Sequence, residues 1–189
     1  MTQKELGQLS DEELATLIGE DKEYFAHIIG RYQNKLFAFI TRLTSISKEE
    51  TEDLLQEIFI LAYRNIHDFD PNLKFSSWIY RIARNQVISH HRKIKVRPKF
   101  TGLEPAIYEN IASEFDLNKL MENKELKRII AQTFEKMDTK YKEILLLKFV
   151  EEKSYEEISD ILKKPKGTIG TMINRAKKQF SKIIKTYDR

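Results

Sequence analysis

The chain has 189 residues, 33% of them charged, with few glycines (6), few prolines (4) and no cysteine. This composition favours helices over a sheet with many turns, and it excludes a disulfide framework and any thiolate metal site. The longest apolar run has six residues, from Ile58 to Tyr63, so the sequence predicts no membrane insertion and a soluble, cytoplasmic protein.

The net charge of +4 is spread over four alternating blocks. Residues 1–60 and 104–162 are acidic, with net charges of −6 and −5, whereas residues 61–103 and 163–189 are basic, with +7 and +8. Charged runs often serve only to solvate a helix face, but two separate basic blocks favour two surfaces for phosphate.

Three segments with the form of a capping box predict helix starts near residues 11, 48 and 155. They read SDEE, SKEE and SYEE, and each precedes a run with helical periodicity. In such a box the serine and the glutamate three residues later satisfy each other's backbone donors. A long helix is also expected from Asp21 or Lys22 to about Leu43, and no strand is predicted.

The helix expected after residue 48 has two unlike faces. Its buried face is predicted to contain Leu54, Leu55, Ile58, Leu61 and Ala62. Its other face carries Asp53, Gln56, Glu57, Ile60 and Arg64. A merely solvated face and a protein-binding face are both open at this point, and Ile60 is the apolar anchor that the second alternative needs.

The segment HDFDPNLKFSS (67–77) predicts a loop, followed by a helix to about Arg92. The predicted core stripe of that helix is Phe75, Ile79, Ile82, Ala83 and Val87, and its basic stripe is Arg81, Arg84, Asn85 and Arg92. Trp78 lies at the border, so it is either a core residue or a platform on which an unpaired base stacks. The loop residues Asp70, Asn72 and Lys74 add donors and acceptors suited to a base taken out of the stack.

From residue 93 to about 116 the helical pattern fails, and two prolines and one glycine interrupt it. We predict an interdomain linker there, flexible or lying along a partner. Helices are expected again at about 117–135, 140–150, 154–162 and 165–186.

The last two predicted helices form a helix-turn-helix with a short KKPK turn. The core stripe of the second helix is Ile169, Ile173, Ala176, Phe180 and Ile183, and its free face includes Lys166, Thr171, Asn174, Lys178 and Lys185. Residues 163–185 contain eight basic and no acidic side chains, which favours DNA binding over a plain helical hairpin. The small Ser159 is expected where the two helices cross.

The sequence does not indicate an enzyme, a cofactor or a metal site. It contains no P-loop, no HExxH and no cysteine nucleophile, and its four histidines lack ligand spacing.

Two blocks together resemble the extracytoplasmic-function (ECF) group of bacterial RNA polymerase sigma factors. They are EDLLQEIFILAYRNIHDFDPNLKFSSWIYRIARN and MDTKYKEILLLKFVEEKSYEEISDILKKPKGTIGTMINRAKK, in the family's order, and the likeness extends from about Asp21 to Lys185. The resemblance implies an all-α chain of two small helical domains, a sigma-2 bundle and a sigma-4 helix-turn-helix bundle, joined by a flexible linker. The expected divisions are an N-terminal helical extension (1–20), sigma-2 (21–97), linker (98–118) and sigma-4 (119–187).

The resemblance also implies a role for each surface in promoter-specific initiation. The face with Asp53, Gln56, Glu57, Ile60 and Arg64 would dock on the clamp of core RNA polymerase. For the −10 element and its melted strand, the implied residues are Asp70, Asn72, Lys74, Trp78, Arg81, Arg84, Asn85 and Arg92. For the duplex −35 element they are Lys166, Thr168, Thr171, Asn174, Arg175 and Lys178.

The chain departs from the family at two places in the helix-turn-helix. Gly170, Thr171 and Met172 stand where a basic residue, Ser or Thr, and Arg are usual, and Lys163 stands where the first helix usually ends in Gly. We interpret Gly170 as a residue that lets the helix approach the DNA backbone. The group usually has an anti-sigma protein, so one is expected as a further partner.

The alternative function is a helix-turn-helix transcriptional regulator with an N-terminal effector or dimerisation domain. It explains residues 139–186 equally well, but it leaves the Asp-Pro-Asn loop and the Arg/Trp helix unexplained. A regulator would bind duplex DNA alone, whereas a sigma factor requires polymerase.

Overall fold

A computed structural model describes residues 3–18, 21–44, 46–94, 105–115 and 123–187. Within these ranges the chain forms ten α-helices and no strand, as the all-α prediction requires. The described residues belong to two compact units, the first mainly within Met1–Ile40 and Ile46–Lys95 and the second mainly within Val96–Ser159 and Lys163–Arg189.

The first unit contains the helices α1 (Gln3–Gln8), α2 (Asp11–Ile18), α3 (Phe25–Leu43), α4 (Lys48–Arg64) and α5 (Phe75–Ile94). Single 3₁₀ turns occur at Lys22–Tyr24 and Ile66–Asp68. The predicted capping boxes of α2 and α4 are both formed, by Ser10 with Glu13 and by Ser47 with Glu50. In each box the serine N–H donates to the glutamate carboxylate and the glutamate N–H donates to the serine Oγ, with donor–acceptor distances of 2.7–3.1 Å. The expected starts of these helices are confirmed.

Aromatic side chains fill the core of the first unit. Phe39 of α3 is fully buried, and its ring meets that of Tyr80 in α5 at 5.2 Å between centroids. Helix α4 packs against α5, and each contributes a fully buried isoleucine, Ile58 and Ile79. Helix α2 packs against α5 as well. The apolar stripes of three helices therefore converge on α5.

The second unit contains α6 (Pro105–Glu114), α7 (Asn123–Lys136), α8 (Thr139–Leu145), α9 (Tyr155–Leu162) and α10 (Lys166–Ile184). Its core is centred on Phe180 of α10, which is fully buried and meets Phe134 of α7 at 5.5 Å. Helix α10 also packs against α8. The helix expected at 140–150 ends in a π-helical turn, Leu146–Val150, which sequence periodicity did not predict.

Helix α6 corrects the prediction that the helical pattern fails throughout residues 93–116. Of the predicted 98–118 linker, residues 98–104 and 116–118 lie outside the described residues. Pro105 is the first residue of α6, where its fixed φ and missing N–H cost nothing. Tyr108, Ile111 and Ala112 are buried at helical spacing, and the ring of Phe115 lies 4.2 Å from that of Phe180. The proline that suggested a break therefore begins a helix.

Candidate nucleic-acid and partner interfaces

The predicted partner-binding face of α4 is exposed along its length. Asp53, Gln56, Glu57, Ile60 and Arg64 are all exposed, and Ile60 retains 52% of its accessible surface. On the opposite side Leu54, Ile58 and Ala62 are buried, whereas Leu55 and Leu61 are partly accessible. The arrangement gives one large apolar side chain surrounded by polar ones, on a rigid helix.

The loop before α5 is organised by one carboxylate. Asp70 Oδ1 accepts hydrogen bonds from the backbone N–H and the side-chain amide of Asn72, both at 2.9 Å, and its carbonyl accepts from Leu73 N–H at 2.9 Å. Asp70 therefore shapes the loop, and Asn72 and Lys74 are exposed. Sequence reasoning missed Leu73, which is 43% exposed. The feature of the sequence that could have indicated Leu73 is an apolar residue within an otherwise polar turn.

Helix α5 has the predicted two-sided character. Phe75, Ile79, Ala83 and Val87 are buried, and Ile82 is half-buried. On the basic side Arg81 and Arg84 are half-buried and Asn85 is exposed. The side chain of Arg92 lies outside the described residues.

Trp78 belongs to the core in this structure. Only 7% of its surface is exposed, and its ring packs against those of Phe69 at 5.6 Å and Phe75 at 5.4 Å. Of the two alternatives that the sequence left open, the arrangement fits the core residue, because a base cannot stack on a buried ring.

The connection between α9 and α10 is a tight helix-turn-helix turn. Lys163 adopts a left-handed conformation (φ 51°), as the position usually held by glycine requires. Ser159 Oγ donates to the Lys164 carbonyl at 2.6 Å, so this side chain closes the turn in addition to being small. The Pro165 carbonyl accepts from Thr168 and Ile169 N–H and begins α10.

The free face of α10 is polar, as predicted. Lys166, Thr168, Thr171, Asn174, Arg175 and Lys178 are all exposed. On the core side Ile169, Ile173, Ala176 and Phe180 are buried, but the stripe ends at Ile184 instead of the predicted Ile183, which is half-buried. Gly170 leaves room for a methyl group, since a Cβ there would lie 3.7 Å from the Tyr155 ring.

Two residues of this face already have partners within the second unit. Lys166 forms an ion pair with Glu156 in the first turn of α9, and its hydrogen bond lowers the pKa of the Glu156 carboxyl. The Thr171 hydroxyl donates to the Gly167 carbonyl at 3.1 Å. The sequence treated both as open contacts, because it could not show which acceptors the fold brings near.

The described residues contain no cluster of histidine and acidic side chains that could hold a metal ion. Among the same residues, no helix is long and apolar enough to cross a membrane.

Comparison with known proteins gives two family matches and several relatives of similar length. The Sigma-70 region 2 model matches residues 28–97, and the Sigma-70 region 4 model matches residues 127–180. The ECF RNA polymerase sigma factor SigW of Bacillus subtilis is 36% identical over 171 residues, covering 87% of this chain and 91% of the relative. This chain belongs to the ECF sigma factors. The sigma-E factor of Haemophilus influenzae is 32% identical over 184 residues, with coverage of 94% and 96%.

Solved structures show the same fold as this sigma factor. CnrH, in complex with the cytosolic domain of CnrY, is similar with a TM-score of 0.67 and 21% identity, covering 93% of this chain and 97% of that one. RpoE of Bartonella quintana, in complex with the anti-sigma factor NepR, has a TM-score of 0.60 and 20% identity, with coverage of 85% and 96%.

The family matches divide the sigma factor's surfaces between them. The region 2 match includes α4, the 70–74 loop and α5, and the region 4 match includes α8, α9 and most of α10. Helices α1 and α2 precede the first match, and α6 lies between the two.

Proposed function

We propose that this sigma factor binds the clamp of core RNA polymerase through the exposed face of α4. It then holds the melted −10 strand with the 70–74 loop and α5, and reads the −35 duplex with α10. We propose the cytoplasm as its site of action, because RNA polymerase transcribes there.

The observation that carries the polymerase assignment is the exposure of Ile60. A 52% exposed isoleucine among polar residues has the composition of a protein-binding hot spot with a polar rim. Asp53 and Glu57 on the same face would repel phosphates, which argues against nucleic acid as the partner of α4.

The −10 assignment is supported by the exposed loop and the cations that follow it. Asn72 and Lys74 offer donors and acceptors to a base edge, and Arg81, Arg84 and Asn85 lie on the accessible side of α5. Trp78 contributes to this site from beneath, by supporting the loop through Phe69 and the first turn of α5 through Phe75.

The −35 assignment is supported by α10 and by the turn that presents it. Asn174 can read base edges, whereas Arg175 and Lys178 provide charges for phosphates. Lys166 joins them by exchanging Glu156 for a phosphate, so its contribution is reduced by the ion pair it gives up. Thr168 and Thr171 offer hydroxyl groups near the start of the helix.

An anti-sigma protein is the further partner that we propose, from the resemblance to the ECF group. Affinity purification of the tagged sigma factor from its native host tests it. A stoichiometric protein that is released when polymerase binds supports the proposal, and recovery of the sigma factor alone or with polymerase only contradicts it.

Binding to core polymerase tests the main proposal. The purified proteins are expected to co-migrate in size-exclusion chromatography, and Asp53→Ala and Ile60→Ala are expected to weaken the complex by about tenfold each. Glu52→Ala is the matched control, because Glu52 is exposed on the same helix beside that face. Equal affinities for all variants would overturn the α4 assignment. Salt-sensitive duplex binding without polymerase would favour the helix-turn-helix regulator.

A further inference from the structure

The first turn of α5 donates a hydrogen bond to a side chain of a helix that is remote in sequence. The carbonyl of Lys74 accepts from Ser77 and Trp78 N–H, so Lys74 occupies the N-cap position of α5. A lysine side chain has no acceptor with which to cap a helix. Instead, Glu12 Oε1 of α2 accepts the N–H of Phe75 at 3.0 Å, across 63 positions of sequence.

Helix α2 is fixed in the position that this bond requires. Asp11 forms an ion pair with Arg31 of α3 at 2.6 Å and also accepts a hydrogen bond from the hydroxyl of Tyr32. Burial and the bond with Asp11 raise the pKa of that hydroxyl, so it remains a donor. Arg31 further donates to the Leu6 carbonyl at 3.2 Å. Neighbouring carboxylates thus have separate tasks: Asp11 anchors α2 on α3, and Glu12 reaches α5.

The contact lies where the loop and the helix of the proposed −10 site meet. Lys74 ends the loop, and Phe75, whose side chain is fully buried, begins the helix. A carboxylate at this point satisfies an end-of-helix donor and interacts favourably with the positive end of the helix dipole. The last residue of the loop therefore has a fixed direction relative to α5.

We propose that Glu12 is a positioning residue for −10 recognition, holding the 70–74 loop in register with α5. The inference rests on the proposed function of that loop. Without the cap, the first turn of α5 frays and the loop samples several conformations. Only molecules whose loop has the binding-competent conformation then bind the strand, so the apparent affinity falls in proportion to the fraction of such molecules.

The test compares three variants of the intact sigma factor in holoenzyme. Glu12→Ala removes the cap, and Glu12→Gln keeps an acceptor oxygen without the charge. Glu13→Ala is the matched control, because Glu13 bonds with Ser10 at the start of α2 and weakens the same helix without touching Phe75. The probe is a −10 single strand selected by the wild-type holoenzyme from a randomised library, together with versions that carry one changed base.

We expect Glu12→Ala to bind the selected strand about fivefold more weakly and to discriminate less against changed bases, with core-polymerase affinity unchanged. Glu12→Gln is expected to recover most of this loss, and Glu13→Ala to retain wild-type base discrimination. If Glu12→Ala and Glu13→Ala give the same strand affinity and the same discrimination, Glu12 has only a structural role and the inference is overturned.

Asn72→Ala separates this failure from failure of the proposed function. A loss of strand binding by Asn72→Ala, with no specific effect of Glu12→Ala, overturns the positioning role and leaves the −10 site in place. Normal strand binding by Asn72→Ala and by Arg81→Ala with Arg84→Ala would overturn the −10 site, and the inference with it.

Discussion

The two basic helices, α5 and α10, carry similar charge but are supported in different ways. The start of α10 is organised within a few residues, by Ser159, the left-handed Lys163 and the Pro165 carbonyl. The start of α5 depends on Glu12, which is 63 positions away. The start of α10 therefore needs only residues close to it in sequence, whereas the start of α5 needs the folded unit that brings Glu12 near it.

The cations of the two helices also differ in accessibility. Arg81 and Arg84 of α5 are half-buried, whereas Arg175 and Lys178 of α10 are exposed. Half-buried arginines are restrained and suit a strand that is held in one path. Exposed cations suit duplex DNA, where charge supplies affinity and a few side chains supply specificity.

The largest effect is expected from Arg81→Ala combined with Arg84→Ala. Open-complex formation should fall by about a hundredfold, because two charge-assisted contacts of roughly 1.5 kcal/mol each are lost. Core-polymerase binding should be unchanged. Permanganate footprinting of the promoter measures the opening, and Lys35→Ala removes an exposed cation from α3 as the control. Unchanged footprints in the double variant would contradict the role of α5.

The second effect concerns the salt dependence of −35 binding. Arg175→Ala with Lys178→Ala should lower the slope of log K against log salt for −35 duplex by about 1.8, since each phosphate contact on duplex contributes about 0.9. The holoenzyme's binding to −35 duplex at several salt concentrations gives the slope. The α5 double variant should leave this slope unchanged, and a change there would remove the distinction between the two helices.

A smaller effect is expected from Lys163→Gly in the turn before α10. Glycine adopts a positive φ without steric cost, so the second unit should gain about 1 kcal/mol in its free energy of unfolding. Urea denaturation followed by circular dichroism measures it. Lys164→Gly is the control, since φ is positive only at Glu152 and Lys163 among the described non-glycine residues. A gain of the same size from Lys164→Gly would show that the left-handed conformation is not the cause.

Gly170→Ala tests the smallest effect, the close approach of α10 to DNA. The added methyl has room beside Tyr155, so helix propensity should stabilise the unit by about 0.8 kcal/mol. Under our interpretation that Gly170 lets α10 approach the DNA backbone, −35 duplex affinity should fall nonetheless. Gly167→Ala, where a Cβ meets nothing within 4 Å, provides the comparison. Stabilisation with wild-type DNA affinity would contradict our interpretation of Gly170.

The same contrast explains what the sequence could predict. Capping boxes, the exposed face of α4 and the buried stripe of α10 all depend on spacings of three or four residues. The structure contains them as expected, except that the stripe ends at Ile184 instead of Ile183. The bond from Phe75 to Glu12 and the ion pair of Lys166 with Glu156 join different helices, so no local spacing indicates them. The role of Trp78 depended on which neighbours cover it. Helix α6 was missed for another reason, because Pro105 was interpreted as a break.

Helix α6 also shortens its own part of the connection between the two family matches. Its ten residues span about 15 Å as a helix and about 33 Å as an extended strand. Releasing Phe115 from Phe180 and unwinding α6 would therefore lengthen the tether by about 18 Å, which corresponds to roughly five base steps of DNA. We therefore expect the range of spacer lengths that this sigma factor accepts between its two promoter elements to depend on the folding equilibrium of a single short helix.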